Sequence, residues 1–411
     1  MTTARRTHGF RESVIRGMSR LAREHRAINL AQGFPNFPAP DLLKEAAARA
    51  IHADINQYAI TWGAERLREA IARKYARWYG LAADPEREVT VTCGATEAMI
   101  STLLALVDPG DEVIVFEPFY ENYGPDAILA DARPVYVPLE PGRPLDLDRL
   151  AAAFSPRTRA IIVNTPGNPS GRVLTRAELE GIADLCIRRN ALAVTDEIYE
   201  HIRFEGEHLP IATLPGMRER TVTISGASKT FSVTGWRIGW IVAPADLTDA
   251  IRKVHDFLTV GAPAPLQEAI ALALDKLEPS FYQGLTAMYR GKRDLLQSAL
   301  DAAGFRSVAP EGAYYILADY TGLGPAAGSD APDDTAFAAW LSREVGVTPV
   351  PGSSFYREGG GRSSVRFVFC KTEDILTEAA RRLRALREGS FAPGAREARA
   401  VAPGVESGLQ R

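Results

Sequence analysis

From about Val89 to Pro244, short β-branched runs alternate with stretches of helical periodicity, which predicts a mostly parallel sheet covered by helices. The predicted strands are VTVT from Val89, EVIVFEP from Glu112, RPVYVPL from Arg133, RAIIVN from Arg159, ALAVTDE from Ala191, TVTIS from Thr221 and RIGWIVAP from Arg237. Helices are expected between most of them. One begins at Thr175, where Thr175 and Glu178 have capping-box spacing and Leu179, Ile182, Leu185 and Cys186 supply an apolar face. Downstream, a helical stretch from about Leu266 to Ala303 leads into AYYILADY, TPVPGSSFY and SSVRFVFC, read as strands, with a helix around Phe337 to Glu344. At the start of the chain Phe10, Val14, Met18 and Leu21 recur at helical spacing with arginines between them, predicting an amphipathic arm with a solvated basic face. Past about Glu388 the periodicity dissolves into Ala, Gly, Pro and Arg, the composition of a disordered tail.

The expected organisation is therefore α/β with two lobes: residues 1–44 an arm and part of a small domain, 45–290 a large domain, 291–388 a small α+β domain, and 389–411 the tail. A chain of 411 residues exceeds what one core usually holds, and 46% hydrophobic residues can fill two. A net charge of -3 creates no basic field, which argues against nucleic acid or an anionic membrane as partner and in favour of a small-molecule substrate. Arg5 and Arg6 are followed by no apolar segment of an export signal, and no apolar run approaches bilayer length. Three cysteines, Cys93, Cys186 and Cys370, cannot all pair and lack metal-ligand spacing, so a reducing, cytoplasmic setting is expected.

Lys229 is the only charged residue between Thr221 and Trp236, among small hydroxylated and glycine residues. The chain has 7 lysines and 41 arginines, and the other six (Lys44, Lys74, Lys253, Lys276, Lys292, Lys371) sit in charged surroundings expected of surface positions. An amine kept from water near other cations is available as a nucleophile toward a carbonyl, so imine chemistry is expected at Lys229. Other unusual residues fall at predicted strand ends, where open α/β sheets bind ligands. After VTVT, Cys93-Gly94-Ala95-Thr96 opens a helix whose Ala95 and Thr96 amides suit a phosphate. After RAIIVN comes a turn-rich loop presenting Asn168; after ALAVT come Asp196, Glu197 and Tyr199; after TVTIS come Lys229 and then Arg237.

With these motifs the chain resembles the class I and II aminotransferases, pyridoxal-phosphate enzymes of fold type I, over nearly its whole length to about residue 388. The resemblance rests on Gly226-Ala227-Ser228-Lys229 followed by Gly235-Trp236-Arg237-Ile238-Gly239, on NPSG at Asn168 and on DEIY at Asp196. AQGFPNFP near Gly33, FEPFYENY near Tyr120 and KTFSVTGWRIGW look most like the kynurenine, glutamine and methionine aminotransferases. It implies pyridoxal 5'-phosphate bound to Lys229, with Asp196 keeping the pyridine nitrogen protonated, Tyr199 and Asn168 on the phenolic oxygen, and Tyr120 stacked on the ring. The phosphate would be held by the Ala95 and Thr96 amides, Ser228 and Arg237, and by Tyr58 of a neighbouring subunit, making a homodimer. Arg366, with Asn168 and Gly33 beside it, would bind the substrate α-carboxylate. Lys229 would shuttle a proton between the substrate α-carbon and the cofactor's C4′. Gly226 departs from the pattern, since many relatives have a phosphate-binding serine there; weaker cofactor retention is expected unless Ser225 or a water substitutes.

Taken singly, Asp196 reads as a strand-end turn residue, Asn168-Pro169 as a turn and Arg366 as a solvated strand arginine; their joint order favours the site. Cys93 reads as a small buried residue, His201 and His208 as surface or loop residues without metal partners, and Glu121 as facing either the site or solvent. The expected activity is amino transfer from an L-amino acid (aromatic, methionine, glutamine or kynurenine-like) to a 2-oxo acid by a ping-pong route. The alternatives are a carbon–sulfur β-lyase or other α-carbon chemistry, and a non-catalytic sensor domain. Phe34, Phe37, Trp62, Tyr120, Phe355 and Tyr356 suggest an apolar or aromatic side-chain pocket, and no arginine is assigned to a distal carboxylate.

Overall fold

A computed structural model describes residues 3–9, 12–323, 333–357 and 359–387. The predicted tail lies outside the described residues, as does Phe10. The strands, in chain order, begin with β1 (Ile28–Asn29), then β2 (Val89–Thr92), β3 (Glu112–Glu117), β4 (Arg133–Pro138), β5 (Thr158–Asn164), β6 (Leu192–Asp196), β7 (Thr221–Gly226) and β8 (Gly239–Val242). Strands β2 to β8 form one seven-stranded sheet in the order β2-β8-β7-β6-β5-β3-β4. Only β8 runs antiparallel to its neighbours. Strands β2, β6, β7 and β8 are buried at every position, as expected where helices cover both faces.

A second, four-stranded sheet has the order β12-β13-β10-β9, built from β9 (Arg306–Ser307), β10 (Tyr315–Asp319), β12 (Val350–Pro351) and β13 (Ser364–Val368). It is antiparallel throughout, and β1 pairs separately with β11 (Val347–Thr348). The helices Pro279–Ala303 and Glu373–Arg384 pack together on this side, over a core that includes Leu296, Leu300, Phe367, Leu376 and Leu383. The capping box at Thr175 and Glu178 is formed, and the helix Arg176–Arg189 ends on Asn190 in a left-handed conformation.

Three local expectations change. The stretch from Leu266 to Ala303 is two helices, Ala264–Lys276 and Pro279–Ala303, because Pro279 has no amide to continue the ladder and instead takes the first position of a new helix. Arg237 lies outside a strand, after the short 3-10 turn Thr234–Trp236, with φ 56°, and β8 begins only at Gly239. TPVPGSSFY breaks into two short strands and the turn Gly352–Phe355.

Burial overturns other readings. His201 and His208 lie in a turn and a loop, as read, but turned inward and not outward: His208 is buried with Nε2 2.7 Å from Glu197 Oε2, and the partly buried His201 packs against Trp78 and Tyr282. Lys74 is buried and pairs with the buried Glu200, which also accepts from Tyr79 and, at 2.6 Å, from Ser225 Oγ. Lys371 is buried as well. A polar group can be buried where distant partners compensate it, and Lys74 and Glu200 are far apart in sequence. Cys93 is only partly buried, and Glu121 accepts from Ser13 Oγ at 2.7 Å.

Candidate active site

The carboxyl ends of β2, β5, β6 and β7 bring four sequence motifs to one place. From β7 the chain turns directly into the short helix Ala227–Thr230, which carries Lys229. Lys229 Nζ donates to the Gly33 carbonyl at 3.3 Å and lies 5.8 Å from the centre of the Tyr314 ring. Withdrawal from water lowers its ammonium to about 8, with Arg237 and Arg366 pushing the same way against Cys370 and Asp196.

Asp196 closes β6 and is buried. Its Oδ2 accepts from Tyr123 at 2.7 Å, and its Oδ1 accepts from the Ile198 amide at 3.3 Å. Burial raises its carboxyl above the ordinary value; those hydrogen bonds and the Lys229 charge oppose the rise. From the end of β5, Asn164 Nδ2 donates to the Asp196 carbonyl at 2.8 Å while Asn164 Oδ1 accepts the Asn168 amide at 2.8 Å. One side chain thus sets the spacing of the two loops. Tyr199 shares a 2.7 Å hydrogen bond with Tyr315.

Between β2 and the helix Ala95–Leu106, Gly94 has φ 83° and lies against the Arg237 side chain. A Cβ on Gly94 would stand 2.3 Å from Arg237 Nη2, and one on Gly239 would stand 2.5 Å from the Ala95 nitrogen. Ala95 and Thr96 carry the first amides of this helix, which find no acceptor inside it. Arg237 donates to the Thr234 carbonyl at 3.0 Å and the Cys93 carbonyl at 3.4 Å and is otherwise exposed. Amides at a helix start beside an exposed guanidinium make an anion cradle. Ser228, the second residue of the helix Ala227–Thr230, is buried, and Tyr120 is partly buried, edge-on to Tyr123 at 5.7 Å.

Arg366, in the middle of β13, is 1% exposed. Its Nη1 donates to Asn168 Oδ1 at 2.9 Å and its Nη2 to the Ala31 carbonyl at 2.6 Å, while Nε is buried without a partner. The guanidinium lies between the rings of Tyr315 at 4.5 Å and Phe355 at 4.8 Å. A buried cation with a spare donor is an arrangement completed by a carboxylate.

Of the residues expected from sequence, Lys229, Asp196, Asn168, Tyr199, Ser228, Arg366, Gly33 and the Ala95–Arg237 turn converge. Tyr58, expected at a neighbouring subunit's phosphate and not in this cluster, is 86% exposed. Tyr123, Asn164, Tyr314 and Tyr315 were missed. Tyr123 belongs to the FEPFYENY motif, three residues after Tyr120, and that proximity was the available signal.

The description Aminotransferase class I and II matches residues 25–383. The chain is 43% identical over 399 residues to a probable N-succinyldiaminopimelate aminotransferase of Mycobacterium tuberculosis, covering 94% of this chain and 99% of that protein. It is 37% identical to human kynurenine–oxoglutarate transaminase 1, covering 93% and 97% of the two chains. A solved Escherichia coli structure with a methionine aminotransferase function superimposes with TM-score 0.89 and 38% identity, covering 94% of this chain and 100% of that one. The amine, carboxylate and guanidinium described above are thus set in a fold shared along almost the full length of these relatives, and the chain belongs to the class I and II aminotransferases, enzymes that move an amino group from an amino acid to a 2-oxo acid.

Proposed function

We propose that this aminotransferase uses pyridoxal 5'-phosphate attached at Lys229. The observation that carries the reading is the convergence of the Lys229 amine, the buried Asp196 carboxylate and the Gly94–Ala95 anion cradle at adjoining strand ends. The residues fit such a group. Asp196 is a buried carboxylate whose charge burial disfavours, and a protonated ring nitrogen is the partner that would restore it. When bound, the cofactor supplies an electron sink for the pair released at the substrate α-carbon. The Ala95 and Thr96 amides, Ser228 and Arg237 would hold its phosphate, Asn168 and Tyr199 its phenolic oxygen, and Tyr120 its ring face.

Lys229 Nζ would take the proton from the substrate α-carbon and later return one. An amine shifted to about 8 serves both directions near neutral pH. Arg366, Asn168 and the Gly33 turn would bind the α-carboxylate common to donor and acceptor. Phe34, Tyr120, Phe355 and Tyr356 support an apolar or aromatic donor side chain, or methionine, glutamine or kynurenine. The relatives' activities toward N-succinyldiaminopimelate, methionine and kynurenine define the donor panel to assay.

A homodimer would cover an exposed apolar surface formed by Ile51, Ile55, Tyr58 and Ile60 with Phe257, Leu258 and Val260, and Tyr58 would reach the neighbouring subunit's phosphate. We place the enzyme in the cytoplasm, in keeping with three free cysteines; among the described residues no helix is long and apolar enough to cross a membrane. We divide the chain near residues 44 and 290, leaving the four-stranded sheet in the smaller domain.

Hydride reduction followed by peptide mass spectrometry should locate the cofactor on Lys229. Lys229→Ala should lower turnover by more than about a thousandfold while noncovalent cofactor binding persists. An adduct on another peptide, or near-normal turnover of the variant, would refute the reading.

A further inference from the structure

Lys371 is a buried cation that the reaction outlined above leaves unused. It is 4% exposed and forms no ion pair among the described residues. Its ammonium donates instead to two main-chain carbonyls, of Gln32 at 3.2 Å and Phe34 at 2.9 Å, and lies 4.3 Å from the centre of the Phe34 ring. Placing an ammonium there is costly without several acceptors, and its three hydrogens supply both carbonyls from one nitrogen.

The two carbonyls flank Gly33. The Phe34 amide also donates to the Gln32 carbonyl at 3.0 Å, so residues 32–34 form a tight turn with Gly33 at its apex. The Gly33 carbonyl accepts from Lys229 Nζ at 3.3 Å and from Tyr314 at 2.8 Å. Tyr315, one of the rings covering Arg366, packs so closely that a Cβ on Gly33 would stand 2.5 Å from its hydroxyl. The turn therefore touches both the reactive amine and the guanidinium cage, and its outer side is held by Lys371.

Further ties run in the same direction. Arg366 Nη2 reaches the Ala31 carbonyl at 2.6 Å, and the Val368 amide reaches the Leu30 carbonyl at 2.9 Å. Beyond the turn, the Thr372 amide donates to Asn36 Oδ1 at 2.7 Å. Lys292 donates to the Lys371 carbonyl at 2.6 Å and lies 4.0 Å from the centre of the Phe37 ring. Residues 30–37 are thus fastened along residues 366–372, with the Lys371 ammonium as the charged tie at the middle of the seam.

We propose that Lys371 is a positioning residue for carboxylate binding: by gripping the Gln32 and Phe34 carbonyls it holds the Gly33 turn against Lys229 and the Arg366 cage. The proposal rests on the assignment of Arg366 and the Gly33 turn to the substrate α-carboxylate. Since that carboxylate is shared by amino donor and oxo acceptor, loosening the turn weakens both alike. Lys229 and Asp196 are carried on other elements, the helix Ala227–Thr230 and β6, so kcat changes far less than either KM although one hydrogen bond to Lys229 weakens.

The test is Lys371→Met in the holoenzyme, which keeps much of the side-chain length and removes the charge. KM for both the amino acid and the 2-oxo acid should rise by about tenfold or more, the scale of a lost hydrogen bond from a charged donor, with kcat within about threefold of wild type. Lys292→Met, at the outer end of the seam, should raise both constants in the same direction by less, and it carries the test if Lys371→Met does not fold. Unchanged KM values in the folded Lys371→Met protein, a fall in kcat alone, or a rise confined to one of the two substrates would overturn the proposal. If hydride reduction places cofactor on Lys229 in wild type and variant while both KM values stay put, this inference fails and the cofactor assignment stands; if wild type carries none there, the fault lies in that assignment.

Discussion

Asp126 sits in the helix Tyr123–Leu129, 5% exposed, with Oδ2 buried and unpartnered. Burial pushes its carboxyl up to about 7. Between the ordinary value near 4 and about 7, the folded protein keeps a proton that the unfolded chain releases, so this group lowers stability as pH rises through that window and adds no further slope above it. Asp126→Asn should remove that slope and leave the protein more stable than wild type at pH 8, as read from urea unfolding at pH 5 and pH 8. An unchanged slope would show that the carboxyl is ionised throughout. His255 shifts in the same direction with pH, but through a favourable pairing and not through burial. Burial would lower its value, but Glu97 hydrogen-bonds its Nδ1 at 3.0 Å and the Thr61 carbonyl meets Nε2 at 2.8 Å, so the ring is raised overall. Its stabilisation is full below the unfolded value near 6.5 and fades as pH rises through the higher folded one. His255→Gln should cost about 1–3 kcal/mol at pH 6 and less at pH 9, measured by the same unfolding experiment. The withdrawal of Lys229 from water was legible at this scale because its neighbours in sequence are uncharged. Lys74, His201 and His208 were not, because what permits their burial lies on other elements: Lys74 is matched by Glu200 and His208 by Glu197, and His201 packs between Trp78 and Tyr282.

Among the elements, the junction of β2, β7 and β8 is built on close backbone approach. A Cβ on Gly239 would stand 2.4 Å from the Gly94 carbonyl carbon, an atom fixed in the turn. Gly239→Ala should therefore destabilise the protein by about 1–3 kcal/mol and lower cofactor retention, followed by absorbance during dialysis. Gly235→Ala, with nothing within 4 Å of the added atom, is the control expected to change neither. The same packing accounts for Gly226, where a side chain would begin 2.9 Å from the Ile238 carbonyl and 3.0 Å from the Gly239 Cα. A serine there would need the β7–β8 pair to open. Strand positions were readable because β-branched runs of four to seven residues bounded by turn-forming residues favour strand over helix. The start of β8 was not, since RIGW has strand composition while Arg237 is turned by its contacts with Cys93 and Thr234. The break at Pro279 was readable in principle, and a continuous apolar periodicity across it hid the signal.

For the whole molecule, Phe257 is 92% exposed and lies with Leu258 and Val260 on one segment, next to the segment that carries Tyr58. If the proposed homodimer uses this surface, Phe257→Asp should shift it toward monomer in analytical ultracentrifugation, with cofactor loss on dilution if Tyr58 completes the neighbouring phosphate site. A variant that stays dimeric would place the subunit contact elsewhere. Two sheets and the order of the motifs were legible from sequence because they depend on local periodicity. The pairing of β1 with β11 was not, because it joins two-residue strands far apart in the chain.

Arg366 is gripped by Asn168 from one sheet's loops and by Ala31 from the arm. On the proposed assignment, the guanidinium is a pin between the two as well as a receptor. Whatever loosens either attachment would then be felt as a poorer grasp of every acid the enzyme handles, regardless of the rest of its skeleton.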